Sequence, residues 1–362
     1  MRWPFLTRDD HDDATDHPTS RWVDDLLHRA LAAGASDVHV APTPGGGGTV
    51  RFRVDGFFRD QERLEPELFP RVIARLKVLA GCAVFRTAEP QDGRLTVDGH
   101  DLRLSTLPVV GGEKAVLRVL GGADRPRELD DLGLHDDVAT QLRELARLPS
   151  GVIFLTGPCS TGKTTTLHAL ARAILAERGE WANVVSVEDP VEQVVEGMAQ
   201  TEVDPRRGLG FPEALAAILR QDPEVVLIGE TRDPETARIA IEAGFTGHLV
   251  LSSLHVGDPE EVPRRLELLG VPSYLVLDGL RAVVNQRLVR RPCPDCRDDV
   301  DACRSCGGHG HRGRLALAEI VRFERGTPSW LTPRLDELAR AELERGRTTA
   351  AELRRVLGVE AA

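Results

Sequence analysis

Residues 157–170, GPCSTGKTTTLHAL, run a glycine-rich loop into a lysine and three threonines. Gly157, Gly162, Lys163 and Thr164 satisfy the spacing G-x-x-x-x-G-K-[ST]. A loop of this kind turns successive backbone N–H groups inward, where they meet phosphate oxygens. The start of the following helix adds its partial positive charge. On this reading residues 157–165 (Gly157, Pro158, Cys159, Ser160, Thr161, Gly162, Lys163, Thr164, Thr165) cradle a nucleotide. Lys163 neutralises the β- and γ-phosphates of ATP, and the Thr164 hydroxyl ligates Mg2+.

Two further segments place carboxylates where such chemistry needs them. VVSVEDP ends in Glu188 and Asp189, and VVLIGE ends in Glu230. Both are apolar runs of strand length. Ligands of open parallel sheets bind at the carboxyl edge of the strands. A carboxylate there can hold Mg2+ through water or orient the water that attacks the γ-phosphorus; Glu188 is expected in the second role and Glu230 in the first, and the two roles are exchangeable. TGHLVLSSLH adds His248 and His255 at the two ends of an apolar run, and either could sense the γ-phosphate. Near the C-terminus, Cys293-x-x-Cys296 and Cys303-x-x-Cys306 have the spacing of two metal knuckles. Four thiolates close a tetrahedral Zn2+ shell and leave no open position, so the site is structural.

The elements that must position these residues are legible around them. The phosphate loop follows the strand VIFLT and opens the helix TTTLHALARAILAE. GVIFLTG, NVVSVEDP, EVVLIGE and GHLVLSSLH alternate with helical stretches, the pattern of a parallel sheet covered on both faces. Ahead of them, a helical stripe (Trp22, Val23, Leu26, Leu27, Ala30, Leu31) begins near an N-cap at Ser20 and stops at Gly34. It is followed by the strand DVHVAP and a second strand, TVRFRVDGFFRD. A helix with Val72, Ile73, Leu76 and Leu79 on one side comes next, then a meander turning at Asp98–Gly99. The chain therefore reads as a disordered acidic tail (1–19), a small α+β domain (20–122), a linker and lead-in helix (123–145), and an α/β domain (146–362). The last includes a zinc lobe (290–314) and two amphipathic C-terminal helices (333–358).

Composition narrows the function. The 362 residues are 41% hydrophobic, enough for two cores, and the formal net charge of −11 argues against a general nucleic-acid binder. No apolar run approaches the roughly 20 residues of a membrane span. MRWPFLTRDD has no apolar core of a secretory signal. Paired cysteines without a signal indicate metal in a reducing, cytosolic compartment.

In order along the chain, ASDVHV, VRFRVDGFFRD, PQDGR, DLRLSTLPVVGGEKAVLRVL, TGPCSTGKTTTL, SVEDPVE, AILRQDPEVVLIGETRDPETA and TGHLVLSSLH resemble the secretion ATPases of type II secretion and type IV pilus assembly. The resemblance covers the chain from about residue 20. It implies a hexameric ATPase motor, cytoplasmic and peripheral to the inner membrane, acting on a platform protein there rather than on nucleic acid. It implies a RecA-like domain for residues 146–362, with nucleotide between it and the N-terminal domain. Glu188 and Asp189 correspond to the family's aspartate box, Glu230 to its Walker B glutamate, and His248 and His255 to its histidine box. Arg94 of PQDGR and Arg103 of DLRLS correspond to arginines that reach the phosphates. The resemblance is to the assembly branch, because of the cysteine box.

There are departures from the family pattern. Its loop usually reads G-P-T-G-S-G-K-T, and Ser160 stands in place of a glycine. An arginine often occupies the position of Ala216. The stretch between the cysteine pairs is short, which implies a reduced zinc lobe. The long N-terminal docking module of many members has no counterpart here, which implies either recruitment through other surfaces or a short subfamily such as competence-pilus motors. The altered loop and Ala216 motivate one alternative, a nucleotide-dependent scaffold that does not hydrolyse ATP. A RecA-type nucleic-acid motor is the other, disfavoured by charge.

Overall fold

Strands with a two-residue hydrophobic period build the first unit of the chain, and continuously apolar strands build the second. The computed structural model describes residues 18–120, 127–179, 182–204, 207–296, 300, 303 and 305–358. The chain separates into two compact units between Asp124 and Arg125. The acidic tail up to residue 17 and the glycine-rich start of the linker, 121–126, lie outside the described residues.

The first unit runs α1 (Pro18–Ala32), β1 (Asp37–Pro42), β2 (Gly48–Val54), β3 (Phe57–Leu64), α2 (Leu68–Leu79), β4 (Gln91–Val97), β5 (His100–Val109) and β6 (Gly112–Leu120). Its strands form one antiparallel sheet in the order β3-β2-β1-β6-β5-β4. Val38, Val40, Val50, Phe52, Leu102, Leu104, Ala115 and Leu117 face one way and bury against Val23, Leu26 and Leu27 of α1 and Phe69, Val72 and Leu76 of α2. The alternate residues form the opposite face. Lys77 is fully buried, and its ammonium donates to Glu113 at 2.9 Å and to the Arg86 carbonyl at 2.8 Å, so the charge is paired where water is excluded.

Two local expectations change. TVRFRVDGFFRD is a hairpin rather than one strand. Asp55 (φ 50°) and Gly56 (φ 83°) both take the left-handed conformation of a tight hairpin turn, as Asp98 and Gly99 do. Ser20 lies inside the first turn of α1 and is buried, so it is not the helix's cap.

The second unit contains a 3-10 turn (Leu129–Leu132), α3 (Asp136–Ala146), β7 (Gly151–Thr156), α4 (Lys163–Arg178), β8 (Val184–Glu188), β9 (Met198–Glu202), α5 (Phe211–Ile218) and β10 (Val225–Ile228). It continues with α6 (Pro234–Phe245), β11 (Leu249–Leu254), α7 (Val262–Leu268), α8 (Ser273–Gly279), β12 (Leu280–Pro292), β13 (His311–Glu324), β14 (Thr327–Trp330), α9 (Leu335–Glu344) and α10 (Ala350–Leu357). The sheet order is β14-β13-β12-β7-β11-β10-β8-β9. From β12 to β9 every neighbouring pair is parallel, whereas β13 and β14 add antiparallel strands at one side. The sheet is therefore mixed. The long β12–β13 hairpin that makes it so is not expected from the sequence reading. Along β7, Ile153 and Leu155 enter the core beneath α3, α4, α9 and α10, and Val152 and Phe154 enter the core beneath α5, α6, α7 and α8. Helix α3, read as a lead-in, contributes Val138, Leu142 and Leu145 to the first of these cores.

One ion pair fastens the C-terminal helix to the sheet. The Glu352 carboxylate, 2% exposed on α10, accepts from Arg290 of β12 at 2.6 Å and from Arg355 at 2.7 Å. Burial alone would raise its pKa; hydrogen bonds from Arg355 and Arg290 outweigh burial and bring it down to about 2. A carboxylate depressed in the folded state stabilises the fold above its unfolded value of 4.5, and that stability is lost as pH falls towards about 2. The contribution is on the order of 3 kcal/mol. Glu352→Gln is expected to lower stability at neutral pH by roughly 2–3 kcal/mol and to flatten the decline in acid. Urea unfolding of both proteins across that range measures it, and parallel curves would contradict the assignment.

Candidate functional site

Strand register assembles the site. In the parallel pairs, Thr156 lies opposite Leu254, Ser252 opposite Ile228, and Ile228 opposite Val187. The carboxyl ends of β7, β11, β10 and β8 therefore share one edge of the sheet. From that edge emerge the loop 157–162, His255, Glu230 and Glu188.

The loop is shaped from behind by β12. Gly157 (φ 134°) and Gly162 (φ 85°) occupy backbone regions that L side chains avoid. A Cβ at Gly157 would lie 2.5 Å from the Gln286 carbonyl oxygen, and one at Gly162 would lie 2.9 Å from Gln286 Nε2. The Gln286 amide donates to the Thr161 carbonyl at 2.7 Å and accepts from the Thr166 hydroxyl at 2.9 Å. It therefore ties the loop to the first turn of α4. Ser160, in place of the family's glycine, has φ 61° and takes the conformation a glycine would adopt without strain. The cost is about 1–2 kcal/mol. Pro158, Cys159 and Ser160 are exposed at the tip.

Lys163 opens α4, and its ammonium donates to the carbonyls of Gly157 at 2.9 Å and Pro158 at 2.7 Å. Burial pushes its pKa below the ordinary lysine value, against the fields of Cys159 and Glu230, with Arg287 adding to the depression. The two carbonyls engage two of its three donors but do not balance its charge, so phosphate oxygens are better partners. Thr164 is half-buried and Thr165 exposed in the first helical turn. These residues fit a nucleoside triphosphate, with the Thr164 hydroxyl placed where it could reach Mg2+.

The two acidic strand ends differ. The Glu230 carboxylate pairs with Arg232 at 2.5 Å, lies 3.7 Å from His255 Nε2, and acts electrostatically on Lys163. It belongs to the phosphate edge. Glu188 is 2% exposed. One of its oxygens meets His168 Nε2 at 2.8 Å, and the other accepts from the Ser186 hydroxyl at 2.6 Å and the Gln200 amide at 2.9 Å. Burial would raise its pKa, but these bonds, that from His168 foremost, hold it below the usual carboxylate range. Asp189 is exposed at the surface.

His248 does not join the site. It precedes β11, and its carbonyl accepts from the N–H of Gly151 at the start of β7. Its imidazole bonds the Ala243 carbonyl at 3.1 Å and lines an open hollow of about 540 Å3 with Arg147, Arg178 and Glu224. Six strand residues, about 20 Å, separate it from His255. Of the two histidines at the ends of this apolar run, His255 therefore lies at the edge with Glu230 and His248 at the opposite end of β11.

In the first unit, Arg94 and Arg103 are directly opposite each other on β4 and β5, and Arg103 is opposite Arg118 on β6. All three alternate with core residues, so they project from the face that α1 and α2 leave open. Asp92 lies 3.6 Å from Arg103, and Asp37 lies 3.0 Å from Arg118. Like charges opposed across strands are destabilising by themselves. Asp92 and Asp37 offset part of this repulsion on the same face.

The tip of the β12–β13 hairpin carries the cysteines. The sulfurs of Cys293, Cys296, Cys303 and Cys306 all lie within 4.8 Å of one another. Cys293 and Cys303 are 3.9 Å apart and Cys296 and Cys306 3.3 Å. A tetrahedral zinc site separates its sulfurs by about 3.8 Å, so the four thiols fit one Zn2+. Burial pushes the Cys306 thiol up, but the Cys296 thiol and the Gly310 N–H directed at its sulfur hold its pKa down to about 6.

A sequence profile of the Type II/IV secretion system protein family matches residues 12–357. The chain belongs to this family. It is 38% identical over 331 residues to the putative type II secretion system protein E of Escherichia coli K12, covering 84% of this chain and 66% of that protein. It is 37% identical over 331 residues to the type IV pilus assembly ATPase PilB of Thermus thermophilus, covering 83% of this chain and 37% of that one. It thus spans about two thirds of the one relative and little more than a third of the other. The X-ray structure of the Legionella pneumophila ATPase DotB superposes with a TM-score of 0.71 at 22% identity, covering 94% of this chain and 97% of that chain, which establishes the fold.

Gln286, His168, Ser186 and Gln200 support the site without belonging to any motif in the sequence. The polar pair Asn285–Gln286 inside the apolar run AVVNQRLV was a usable signal, since buried amides must find partners. Zinc is open to direct test. Purified protein is expected to carry one zinc ion per chain, and Cys306→Ser to lose it and lower the Tm while nucleotide binding persists. Elemental analysis with thermal unfolding measures both, and undiminished zinc in the variant would rule out the four-thiol site.

Proposed function

We propose that this chain is an ATP-hydrolysing motor subunit that powers a type II secretion or type IV pilus machine. The observation that carries the reading is the shared strand edge, where Lys163 at the head of α4 lies within the field of Glu230. In a family of secretion ATPases that edge is a place for phosphoryl transfer.

ATP enters the loop 157–165, where backbone N–H groups and the helix start receive the phosphates. The Lys163 ammonium exchanges two carbonyl partners for phosphate oxygens. Mg2+, held at Thr164, would neutralise charge between the β- and γ-phosphates. Of the two glutamates, Glu230 is the better candidate to orient the attacking water, because the Glu188 carboxylate is buried with both oxygens engaged. Glu188 then serves as a fixed anion in the wall of the site. His255, beside Glu230, is suited to report whether the γ-phosphate is present. Arg94 and Arg103, on the open sheet face of the first unit, offer guanidinium groups of the kind that bridge phosphate oxygens.

No helix among the described residues is long and apolar enough to cross a membrane. We infer a ring, a hexamer on the family pattern, that works peripherally at the cytoplasmic side of the inner membrane against a platform protein. A Zn2+ held by Cys293, Cys296, Cys303 and Cys306 would brace the β12–β13 hairpin.

Steady-state hydrolysis tests the reading. Glu230→Gln is expected to lower kcat by about 100-fold or more, Lys163→Ala to abolish nucleotide binding, and Glu188→Gln to cost less than Glu230→Gln. A larger loss in the Glu188 variant would exchange the two roles. Tight ATP binding by the wild type without turnover would favour a nucleotide-dependent scaffold.

A further inference from the structure

His168 is a buried imidazole with no part in the scheme above. It lies on α4, five residues after Lys163 and two after Thr166, whose hydroxyl contacts Gln286. Its neighbours on α4, Leu167, Ala169, Leu170 and Ala171, are buried and apolar, whereas His168 places a polar ring in the same layer at 2% exposure. Nε2 of that ring is 2.8 Å from the Glu188 carboxylate. The other side-chain donors to this carboxylate, Ser186 and Gln200, sit on β8 and β9. Among the described residues, His168 is therefore the link from Glu188 to the phosphate-loop helix.

The direction of the hydrogen bond follows from the partner. A carboxylate held below its ordinary pKa is ionised and accepts only, so Nε2 carries the proton and donates. Gln286 already fixes the loop from the β12 side. The His168–Glu188 contact fixes the same helix from the β8 side. Lys163 and Thr164 stand at the end of a rod clamped at two flanks.

We propose that His168 is a positioning residue for ATP hydrolysis: its hydrogen bond to Glu188 sets the first turns of α4, and with them Lys163 and Thr164, against the acidic strand ends. This rests on the ATPase reading given above. Backbone N–H groups of the loop supply nucleotide affinity whether or not the clamp is present. Alignment for in-line attack is more demanding, since a displacement of about 1 Å can cost on the order of 100-fold in rate. The clamp is therefore expected to act on kcat more than on KM.

The test compares wild type, His168→Leu, His168→Phe and His168→Gln in steady-state hydrolysis, nucleotide binding and thermal unfolding. Leucine and phenylalanine fill the site without a donor, whereas the glutamine amide can donate to Glu188. Folded His168→Leu or His168→Phe should lose about 10-fold or more in kcat, with KM and nucleotide Kd changed less than threefold. His168→Gln should recover most of kcat. Unchanged kcat in a folded apolar variant would overturn the proposal. If neither apolar variant folds, His168→Gln decides alone: near-wild-type kcat supports positioning by a donated bond, and a 10-fold loss with unchanged Tm overturns it. An inactive wild type would instead overturn the hydrolytic reading itself, and the His168 proposal with it, so the two failures appear in different proteins.

Discussion

The parallel register of β7, β11, β10 and β8 is the constraint on which the second unit depends. Every strand in this set is buried on both faces, so its side chains serve two cores at once. A slip of one residue would exchange those cores and move every chain end along the edge. With the register set, the phosphate loop, Glu230, Glu188 and His255 must emerge side by side. The chemistry is thus located by hydrophobic packing well away from any reacting atom.

Packing alone does not hold a loop open for phosphate. Polar side chains inside apolar elements do that here. Gln286 on β12 and the Glu188–His168 contact between β8 and α4 grip the same helix from opposite sides. Each places hydrogen-bonding atoms where water is excluded, which is favourable only when their partners are met. Glu188 meets this condition with three donors and gives up accessibility in return. Glu230, paired with an exposed arginine, keeps its access. Two carboxylates of one edge are in this way given different partners and different exposure.

Much of this was readable in the sequence, for reasons that can be named. The motif around Lys163, the apolar runs before Glu188 and Glu230, and the cysteine pairs are local patterns, and local patterns survive translation into structure. The family resemblance carried by those blocks is likewise borne out. What was hidden depends on contacts distant in the chain. Gln286 lies more than a hundred residues from the loop it supports, and His168 looked like an ordinary helix residue until β8 was set beside it. The β12–β13 hairpin was obscured because its cysteine tip drew the segment into a separate lobe. His248 misled because sequence proximity to His255 across an extended strand is spatial separation. Asp55–Gly56 carried the same turn chemistry as Asp98–Gly99 and was passed over inside an alternating run.

In the proposed mechanism Glu230, and not the buried Glu188, faces the γ-phosphate above a loop held by Lys163. An experimental structure with Mg2+ and a non-hydrolysable ATP analogue tests it most directly. Phosphates are expected within the loop 157–165, with the Lys163 ammonium moved from its carbonyls onto them, Glu230 nearest the γ-phosphate, and the Glu188–His168 bond intact. Glu188 released from His168 and turned onto the γ-phosphate, with Glu230 still paired to Arg232, would contradict it.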